Sequence, residues 1–198
     1  MSLLELIPVS IKDVKLLQKL SVQTFVETFG AQNTEADMQE YLNNQMSTSQ
    51  LKKELEHAHS NFYFAYYKDR LAGYLKLNFE SAQRETVGTG TAFEVERIYL
   101  LKDFQRQGLG KVLFKKAVAL GKEKGYQKLW LGVWEHNTPA LAFYKKLGLT
   151  VFDKHTFVLG SDSQTDLMLE LDLYLKLRGS VVLELSSSHR NKRDSWIG

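Results

Sequence analysis

Three short segments between residues 93 and 148 decide the fold: FEVERIYL at 93–100, QRQGLGK at 105–111 and NTPALAFYKKLG at 137–148. The first is typical of a β-strand because β-branched and aromatic residues are frequent in it. The second places two glycines directly before a long amphipathic stretch, which predicts a turn into a helix. The third begins with Asn and an early Pro and ends in Gly, which predicts a short helix.

The turn at 105–111 predicts a phosphate site. Gly108 and Gly110 leave no side chain where a main chain would approach a ligand. The helix that follows presents unpaired N–H groups and a positive dipole end, and Arg106 and Lys111 add positive charge. On these residues alone the alternative is an ordinary strand-to-helix turn, because two glycines are a weak motif.

The composition indicates a globular protein of one domain. Its 198 residues can bury a sizeable core, and 43% of them are hydrophobic. The absence of Cys excludes disulfides, a thiolate nucleophile and Cys-based zinc sites. The five His residues lack metal-ligand spacing, so we expect no metal. Because we find neither a signal peptide nor an apolar run of membrane-spanning length, we expect a soluble, cytoplasmic protein without a membrane partner.

The positive charge of the chain is concentrated at its C-terminus. Residues 176–198 hold five Lys/Arg and two Asp/Glu, which equals the whole formal net charge of +3. Residues 1–175 therefore carry no net charge, and we expect no nucleic-acid partner. We interpret residues 1–175 as one domain and residues 176–198 as a basic, flexible tail.

Predicted strands and helices alternate along most of the chain, which indicates an α/β fold. A hairpin is predicted at 62–77, because two apolar strands flank the turn at 68–70. The order strand, helix, strand between 93 and 134 predicts a parallel pair with a right-handed crossover. Further strands are predicted at 4–9, 149–158 and 167–173, and further helices at 11–28, from Thr34 and from Ser47 or Ser49.

This ordered set of motifs resembles the GNAT family of acetyl-CoA-dependent N-acetyltransferases. Its fingerprint, Gln/Arg-x-x-Gly-x-Gly/Ala, matches residues 105–110, and its Asn before a helix with Phe-Tyr and then Gly matches 137–148. The resemblance spans residues 4–173. It implies an α/β fold with a mixed, mostly antiparallel sheet and flanking helices. The central parallel strands at Phe93 and Leu129 would splay apart.

The resemblance also implies how acetyl-CoA would be held as the co-substrate. The pyrophosphate would lie on the amides of residues 107–111, and the main chain at 98–100 would pair with the pantetheine arm and polarise the acetyl carbonyl. Tyr144 matches the tyrosine that protonates the departing thiolate, a role that suits a phenol of pKa about 10. The positions matched to cofactor contacts are Ile98, Tyr99, Leu100, Gln105, Arg106, Gln107, Gly108, Leu109, Gly110, Lys111, Asn137 and Lys146.

The acceptor amine must lose a proton, and Glu94 and Glu96 are the candidates for the general base. Both alternate with Val95 and Arg97, so we expect both carboxylates on one face of the strand. We favour Glu96, since it lies nearer the expected acetyl position. The alternative is that the two carboxylates only balance the charge of Arg97.

A narrower resemblance points to the acceptor. Segments 25–30, 62–66, 73–78, 130–135 and 155–166 resemble the bacterial PaiA-type acetyltransferases, a branch that acetylates spermine and spermidine. A polycationic acceptor needs carboxylates near it. If the fold groups them, Glu94 and Glu96 would be joined there by Glu27, Asp162 and Asp166. His155 would orient the substrate, although a structural role is favoured for it.

We therefore predict direct transfer of acetyl from acetyl-CoA to a primary amine, with spermidine or spermine favoured, because no Cys can carry the acetyl group. Two alternatives stay open: acetylation of a protein N-terminus or lysine, and a CoA-binding regulatory module without turnover. A module that only binds would not need Tyr144. A homodimer is common in the resembled family and is compatible with this sequence.

Overall fold

A mixed β-sheet of seven strands forms the centre of the computed structural model, which describes residues 4–85, 87 and 91–174. In chain order the strands are β1 (Leu4–Pro8), β2 (Ser60–Tyr67), β3 (Arg70–Asn78), β4 (Ala92–Leu100), β5 (Lys128–Trp134), β6 (Thr150–Leu159) and β7 (Asp162–Asp172). The helices are α1 (Val14–Phe29), α2 (Glu35–Gln45), α3 (Thr48–Glu56), α4 (Leu109–Glu123) and α5 (Thr138–Lys146). The predicted α/β class is confirmed.

The central strands of the sheet splay apart. The strand order is β1-β2-β3-β4-β5-β7-β6, and every neighbouring pair is antiparallel except β4 and β5. These two strands pair in parallel only over Ala92–Glu94 and Lys128–Trp130. They continue to Leu100 and Trp134 without further pairing to each other. The mostly antiparallel sheet with a splayed parallel pair, which the resemblance implied, is therefore confirmed.

A β-bulge at Glu96 changes which side chains of β4 share a face. Arg97 pairs with Lys76 and Val95 pairs with Leu77, so Glu96 is the extra residue. Arg97 consequently lies on the face of Glu96, with which it forms an ion pair. The strict alternation expected from the sequence was wrong at Arg97 for this reason.

The two faces of the sheet are covered by different helices. On one face, Leu129, Leu131 and Val133 of β5 share a core with residues of α4 and α5. On the other face, Trp130 of β5 packs with Met168 of β7, while α1 and α3 cover β2 and β3. We call this second face the α1 face.

Strand β7 begins earlier than the sequence predicted. It starts at Asp162 instead of near Leu167, because β6 and β7 form a long hairpin that turns at Gly160, where φ is +60°. Most of β6 is exposed, so polar residues occupy strand positions there and hide the apolar pattern. Asp162 and Asp166 therefore lie within a strand.

Some predictions fall on residues outside the described ranges. These are the tail at 176–198 and the loop glycines Gly88 and Gly90, and the domain boundary at 175 also stays a prediction. Among the helices in the described ranges, none combines the length and the apolar character that crossing a membrane requires.

Candidate active site

The turn between β4 and α4 is fixed by its own side chains. The Gln105 Nε2 group donates to the carbonyl of Leu100 at 2.9 Å, and the Gln107 Nε2 group donates to a main-chain carbonyl of the turn at 2.7 Å. Arg106 and Gly108 adopt left-handed backbone conformations, with φ of +59° and +78°. Helix α4 begins directly after Gly108.

The start of α4 has room for a ligand. A Cβ added at Gly108 would meet no atom within 4 Å, and the side chains of Arg106 and Lys111 are exposed. Leu109 is buried and anchors the first turn in the core. Because the first N–H groups of a helix have no partner within it, the turn offers the space, donors and charge that a pyrophosphate requires.

The variant Gly108→Val should weaken CoA binding at least about 100-fold, because its side chain would cover two or three amides, each of which gains roughly 1.5–3 kcal/mol on bonding a charged group. The left-handed backbone at φ +78° should also cost about 1–2 kcal/mol of stability for a residue with a Cβ. Isothermal titration calorimetry with CoA measures the first effect, and thermal unfolding measures the second.

Gly125 provides a matched control at the opposite end of α4. Its φ is +84° and an added Cβ would again meet no atom within 4 Å. Gly125→Val should therefore lose similar stability but keep its affinity for CoA. Equal CoA affinities for the two variants would contradict a phosphate site at Gly108.

Helix α5 brings Tyr144 next to α4 and the end of β4. Its ring lies 5.9 Å from that of Phe114 and 5.1 Å from that of Phe143, and the residue is 8% exposed. Burial raises the pKa of Tyr144 above its usual value. Burial above all, with smaller contributions from neighbouring tyrosines that include Tyr144, also raises the pKa of Tyr99. The Tyr144 hydroxyl has no hydrogen-bond partner within the described residues, so it is a protonated donor free to serve a ligand.

The remaining predicted cofactor contacts have structural roles of their own. The Asn137 Oδ1 atom accepts from the Ala140 N–H at 3.2 Å and caps α5, and Lys146 is exposed in the last turn of that helix. The side chains of Ile98 and Leu100 pack into the core beside α4. Their main chain lies in the part of β4 that does not pair with β5. Gly110 lies against α5, since a Cβ added there would be 3.6 Å from the ring of Phe143.

Glu94 and Glu96 lie side by side on the α1 face. The Asn78 Nδ2 group of β3 donates to Glu94 Oε2 at 2.8 Å and to Glu96 Oε2 at 2.5 Å. The Ser60 hydroxyl of β2 donates to Asn78 Oδ1 at 3.1 Å. The structure thus brings together the two candidate bases that the sequence suggested; Glu94 is buried and Glu96 is partly buried.

A buried ion cluster holds only one of these two carboxylates. Lys76 Nζ lies 2.8 Å from Glu54 and 2.5 Å from Glu96. Arg97 lies 3.0 Å from Glu54 and 3.1 Å from Glu96. Because two cations face two anions, the cluster balances its charge without Glu94.

The two carboxyl groups therefore differ in proton affinity. Burial and the neighbouring Glu96 charge raise the pKa of Glu94 to about 7, against the opposing effect of the Asn78 hydrogen bond. For Glu96, burial opposes ionisation, but the charges of Arg97 and Lys76 prevail and lower its pKa to about 2. Of these two carboxyl groups, Glu94 is therefore the one that can readily exchange a proton near neutral pH.

The other predicted acidic residues each have contacts of their own. Glu27 accepts from the Lys102 N–H at 2.8 Å and so fixes the loop after β4. Asp162 is exposed and accepts from Gln164 at 2.8 Å. Asp166 lies over Gly132, where an added Cβ would be 3.4 Å from its Oδ2 atom.

His155 lies between two carboxylates of different elements. Its Nε2 atom is 3.7 Å from Asp166, and its Nδ1 atom is 3.4 Å from Glu85. Burial raises the pKa of Asp166, although His155 opposes this shift. In the described ranges, no cluster of three or more His, Cys, Asp or Glu side chains is arranged to hold a metal ion.

Sequence reasoning missed Asn78, Lys76 and Glu54. Lys76 and Asn78 alternate with buried leucines along β3, a period-two pattern that marks polar side chains on one face of a strand. This signal was present in the sequence. Their contacts depend on the strand register and on the bulge at Glu96, which the sequence does not show.

Comparison with known proteins shows a family match. The sequence profile described as Acetyltransferase (GNAT) family matches residues 22–149. An uncharacterised N-acetyltransferase from the pepI 3′ region of Lactobacillus delbrueckii subsp. lactis is 45% identical over 166 residues, which are 84% of this chain and 95% of that protein.

Two further similarities involve Thermoplasma acidophilum. Its spermidine N(1)-acetyltransferase is 24% identical over 154 residues, covering 76% of this chain and 90% of that protein. The crystal structure of a PaiA N-acetyltransferase from the same organism, in complex with coenzyme A, superposes with a TM-score of 0.69. That likeness covers 85% of this chain and 98% of the other at 22% identity, so it bears on the fold alone.

Proposed function

Because the chain belongs to the Acetyltransferase (GNAT) family, we propose that it transfers acetyl to a primary amine of a small polyamine such as spermidine or spermine. The protein is an acetyl-CoA-dependent N-acetyltransferase, as the family and its N-acetyltransferase relatives show. The observation that carries the mechanism is the arrangement of an open glycine turn, a stretch of β4 that does not pair with β5, and the buried Tyr144.

Acetyl-CoA supplies the acetyl group as an activated thioester. The amides that follow Gly108 would hold its phosphates, with Arg106 and Lys111 adding charge. The main chain of β4 at 98–100 would pair with the pantetheine arm and polarise the acetyl carbonyl. The open space at Gly108 and the splay between β4 and β5 support this assignment.

We assign the general base to Glu94 instead of Glu96. An acceptor ammonium must give up one proton before its nitrogen attacks, and a base with a pKa near the working pH accepts it best. Glu94, with a pKa of about 7, meets this condition. Glu96 is held as an anion by Lys76 and Arg97, so it contributes charge and structure.

Tyr144 would supply the second proton of the reaction. As the bond between the acetyl carbon and sulfur breaks, its hydroxyl would donate a proton to the thiolate and regain one from solvent. The raised pKa keeps the phenol protonated at working pH, and the lack of a competing acceptor in the described residues leaves it free. The ammonium loses two protons in all, one to Glu94 before attack and one from its nitrogen as the tetrahedral intermediate collapses. One proton returns to sulfur through Tyr144, and the other is released to solvent.

Two observations support a polyamine acceptor. One is the similarity to a protein named spermidine N(1)-acetyltransferase. The other is the distribution of carboxylates, since Asp166 and Glu85 flank His155 and would attract the cationic end of a polyamine. Glu27 and Asp162 already bond to Lys102 and Gln164, so their substrate role is the weaker part of the proposal. A homodimer stays a prediction.

A competition experiment tests the acceptor class. The protein is incubated with acetyl-CoA and equal concentrations of spermidine, lysine and a short peptide, and the acetylated products are identified by mass spectrometry. Acetylspermidine as the main product supports the proposal. Acetylpeptide as the main product would replace the polyamine with a protein acceptor, and CoA binding without any product would indicate a regulatory module.

A further inference from the structure

The side chain of Asn78 uses both of its N–H donors on the two carboxyl groups of the site. A primary amide has two N–H donors and one carbonyl acceptor. In Asn78 one N–H goes to Glu94, the other goes to Glu96, and the carbonyl accepts from Ser60. Asn78 is 1% exposed, so water does not compete for these bonds.

The amide joins the carboxyl groups without adding charge. A Lys or Arg at this position would form an ion pair with Glu94 and so favour its carboxylate form, as Lys76 and Arg97 do for Glu96. An apolar residue would leave two buried carboxyl groups in contact without a donor between them. A neutral double donor is therefore the group that holds both carboxyl groups while leaving one of them able to exchange its proton.

The Ser60 hydroxyl fixes the direction of this bridge. Because it donates to Asn78 Oδ1, the amide cannot turn its carbonyl toward Glu94 and Glu96 without losing that bond and opposing two carboxylates. Ser60 is itself 7% exposed and lies on β2, opposite Asn78 in the strand register. The orientation of the amide is thus set by the pairing of β2 with β3.

We propose that Asn78 is a positioning residue for deprotonation of the acceptor amine: its amide holds the Glu94 carboxyl beside Glu96, which is itself paired with Lys76 and Arg97, and so fixes Glu94 for proton transfer. This inference rests on the proposed function for its catalytic consequence. The bridge itself rests on the three hydrogen bonds and on the charge balance of the cluster.

The charged and titratable groups around the pair indicate the direction of the expected effect. They come from four elements and one loop: Glu96 and Arg97 on β4, Lys76 and Tyr74 on β3, Glu54 on α3, Tyr41 on α2, and Arg84 in the loop before β4. Burial and Glu96 favour the protonated form of Glu94, whereas the Asn78 hydrogen bond favours its carboxylate. Removing the amide should therefore raise the pKa of Glu94.

The test compares three variants. In Asn78→Ala, the midpoint at which kcat/KM rises with pH should move up by about one pH unit, the size expected from loss of one hydrogen bond to a charged group. In Ser60→Ala the shift should have the same direction and be smaller. Asn61→Ala removes a neighbouring amide whose N–H bonds to the Ser60 carbonyl and, within the described residues, not to either carboxyl group, so it should cause no shift. KM for acetyl-CoA should stay within about twofold in all three.

A second readout separates this inference from the proposed function. Carbon-13 NMR of labelled glutamate side chains follows the titration of Glu94 without turnover, and the Glu94→Gln spectrum assigns its signal. A raised NMR midpoint in Asn78→Ala supports the bridge even if no acceptor is acetylated, and that result would remove only the proposed reaction. An unchanged midpoint in a folded Asn78→Ala protein overturns the inference, as does an equal loss of rate at every pH. If Asn78→Ala does not fold, an unchanged midpoint in Ser60→Ala overturns it instead.

Discussion

Replacing Tyr144 by Phe should lower kcat on the order of 1,000-fold while affinity for acetyl-CoA stays nearly unchanged. The change removes only the hydroxyl, which has no hydrogen-bond partner within the described residues, and it keeps the ring contacts with Phe114 and Phe143. The lost interaction is therefore one that forms as the thiolate leaves. Steady-state kinetics of CoA release, with CoA binding measured by calorimetry, separates the two effects.

Tyr63 offers a matched control for this substitution. It is a half-buried tyrosine on β2, and burial raises its pKa as it does for Tyr144. Tyr63→Phe should leave kcat within about twofold, because Tyr63 is partly exposed and has no assigned role in the site, and substitutions at such positions have small effects. A Tyr144→Phe enzyme with the kcat of the unmodified protein would remove Tyr144 from the chemistry.

The variant Glu94→Gln should lower kcat/KM about 100-fold above neutral pH, because a general base contributes at least that factor. The unmodified protein should show kcat/KM rising with pH and levelling above about 7, where Glu94 becomes a carboxylate. This rise of kcat/KM with pH should be absent in Glu94→Gln.

The raised pKa of Glu94 also has a consequence for stability. The free energy of unfolding should fall as pH rises from 4.5 to about 7, since the folded state holds the Glu94 proton more tightly than the unfolded state does.

Glu96→Gln separates the charge cluster from the base. It removes an anion that Lys76 and Arg97 contact, so it should cost about 3 kcal/mol of stability, the scale for breaking a buried ion pair. The rise of kcat/KM with pH should persist, with its midpoint moved to lower pH because a negative neighbour of Glu94 is gone. If instead the rise of kcat/KM with pH disappeared in Glu96→Gln and persisted in Glu94→Gln, the base would be Glu96.

Local motifs explain why much of the fold could be predicted, including the turn and the short helix to which we assign the cofactor contacts. The glycine turn at 105–111 and the segment at 137–148 each lie within one connection and one helix, so their residue order fixes their geometry. The splay between β4 and β5 followed from the resemblance, and the pairing that ends at Glu94 confirmed it. The start of β7 was missed because an exposed hairpin does not need apolar alternation.

The surroundings of the two candidate bases, Glu94 and Glu96, depend on contacts that residue order does not show. The bulge at Glu96 turns Arg97 to the face of Glu94, and this decides which carboxyl group is paired with a cation. Asn78 joins the pair only because β3 and β4 meet in a particular register. The sequence therefore suggested both candidate bases and favoured Glu96, whereas we propose Glu94 because Glu96 is paired with Lys76 and Arg97.

If this chain acetylates a polyamine with acetyl-CoA, as we propose, kcat/KM for CoA release should depend strongly on the acceptor. The panel consists of spermidine, spermine, putrescine, lysine, a short peptide and a reaction without acceptor. We expect spermidine or spermine to give the highest kcat/KM, and Tyr144→Phe to lower kcat for this release on the order of 1,000-fold. Release that is fastest with the peptide, or equally slow with every acceptor and with none, would contradict the proposal.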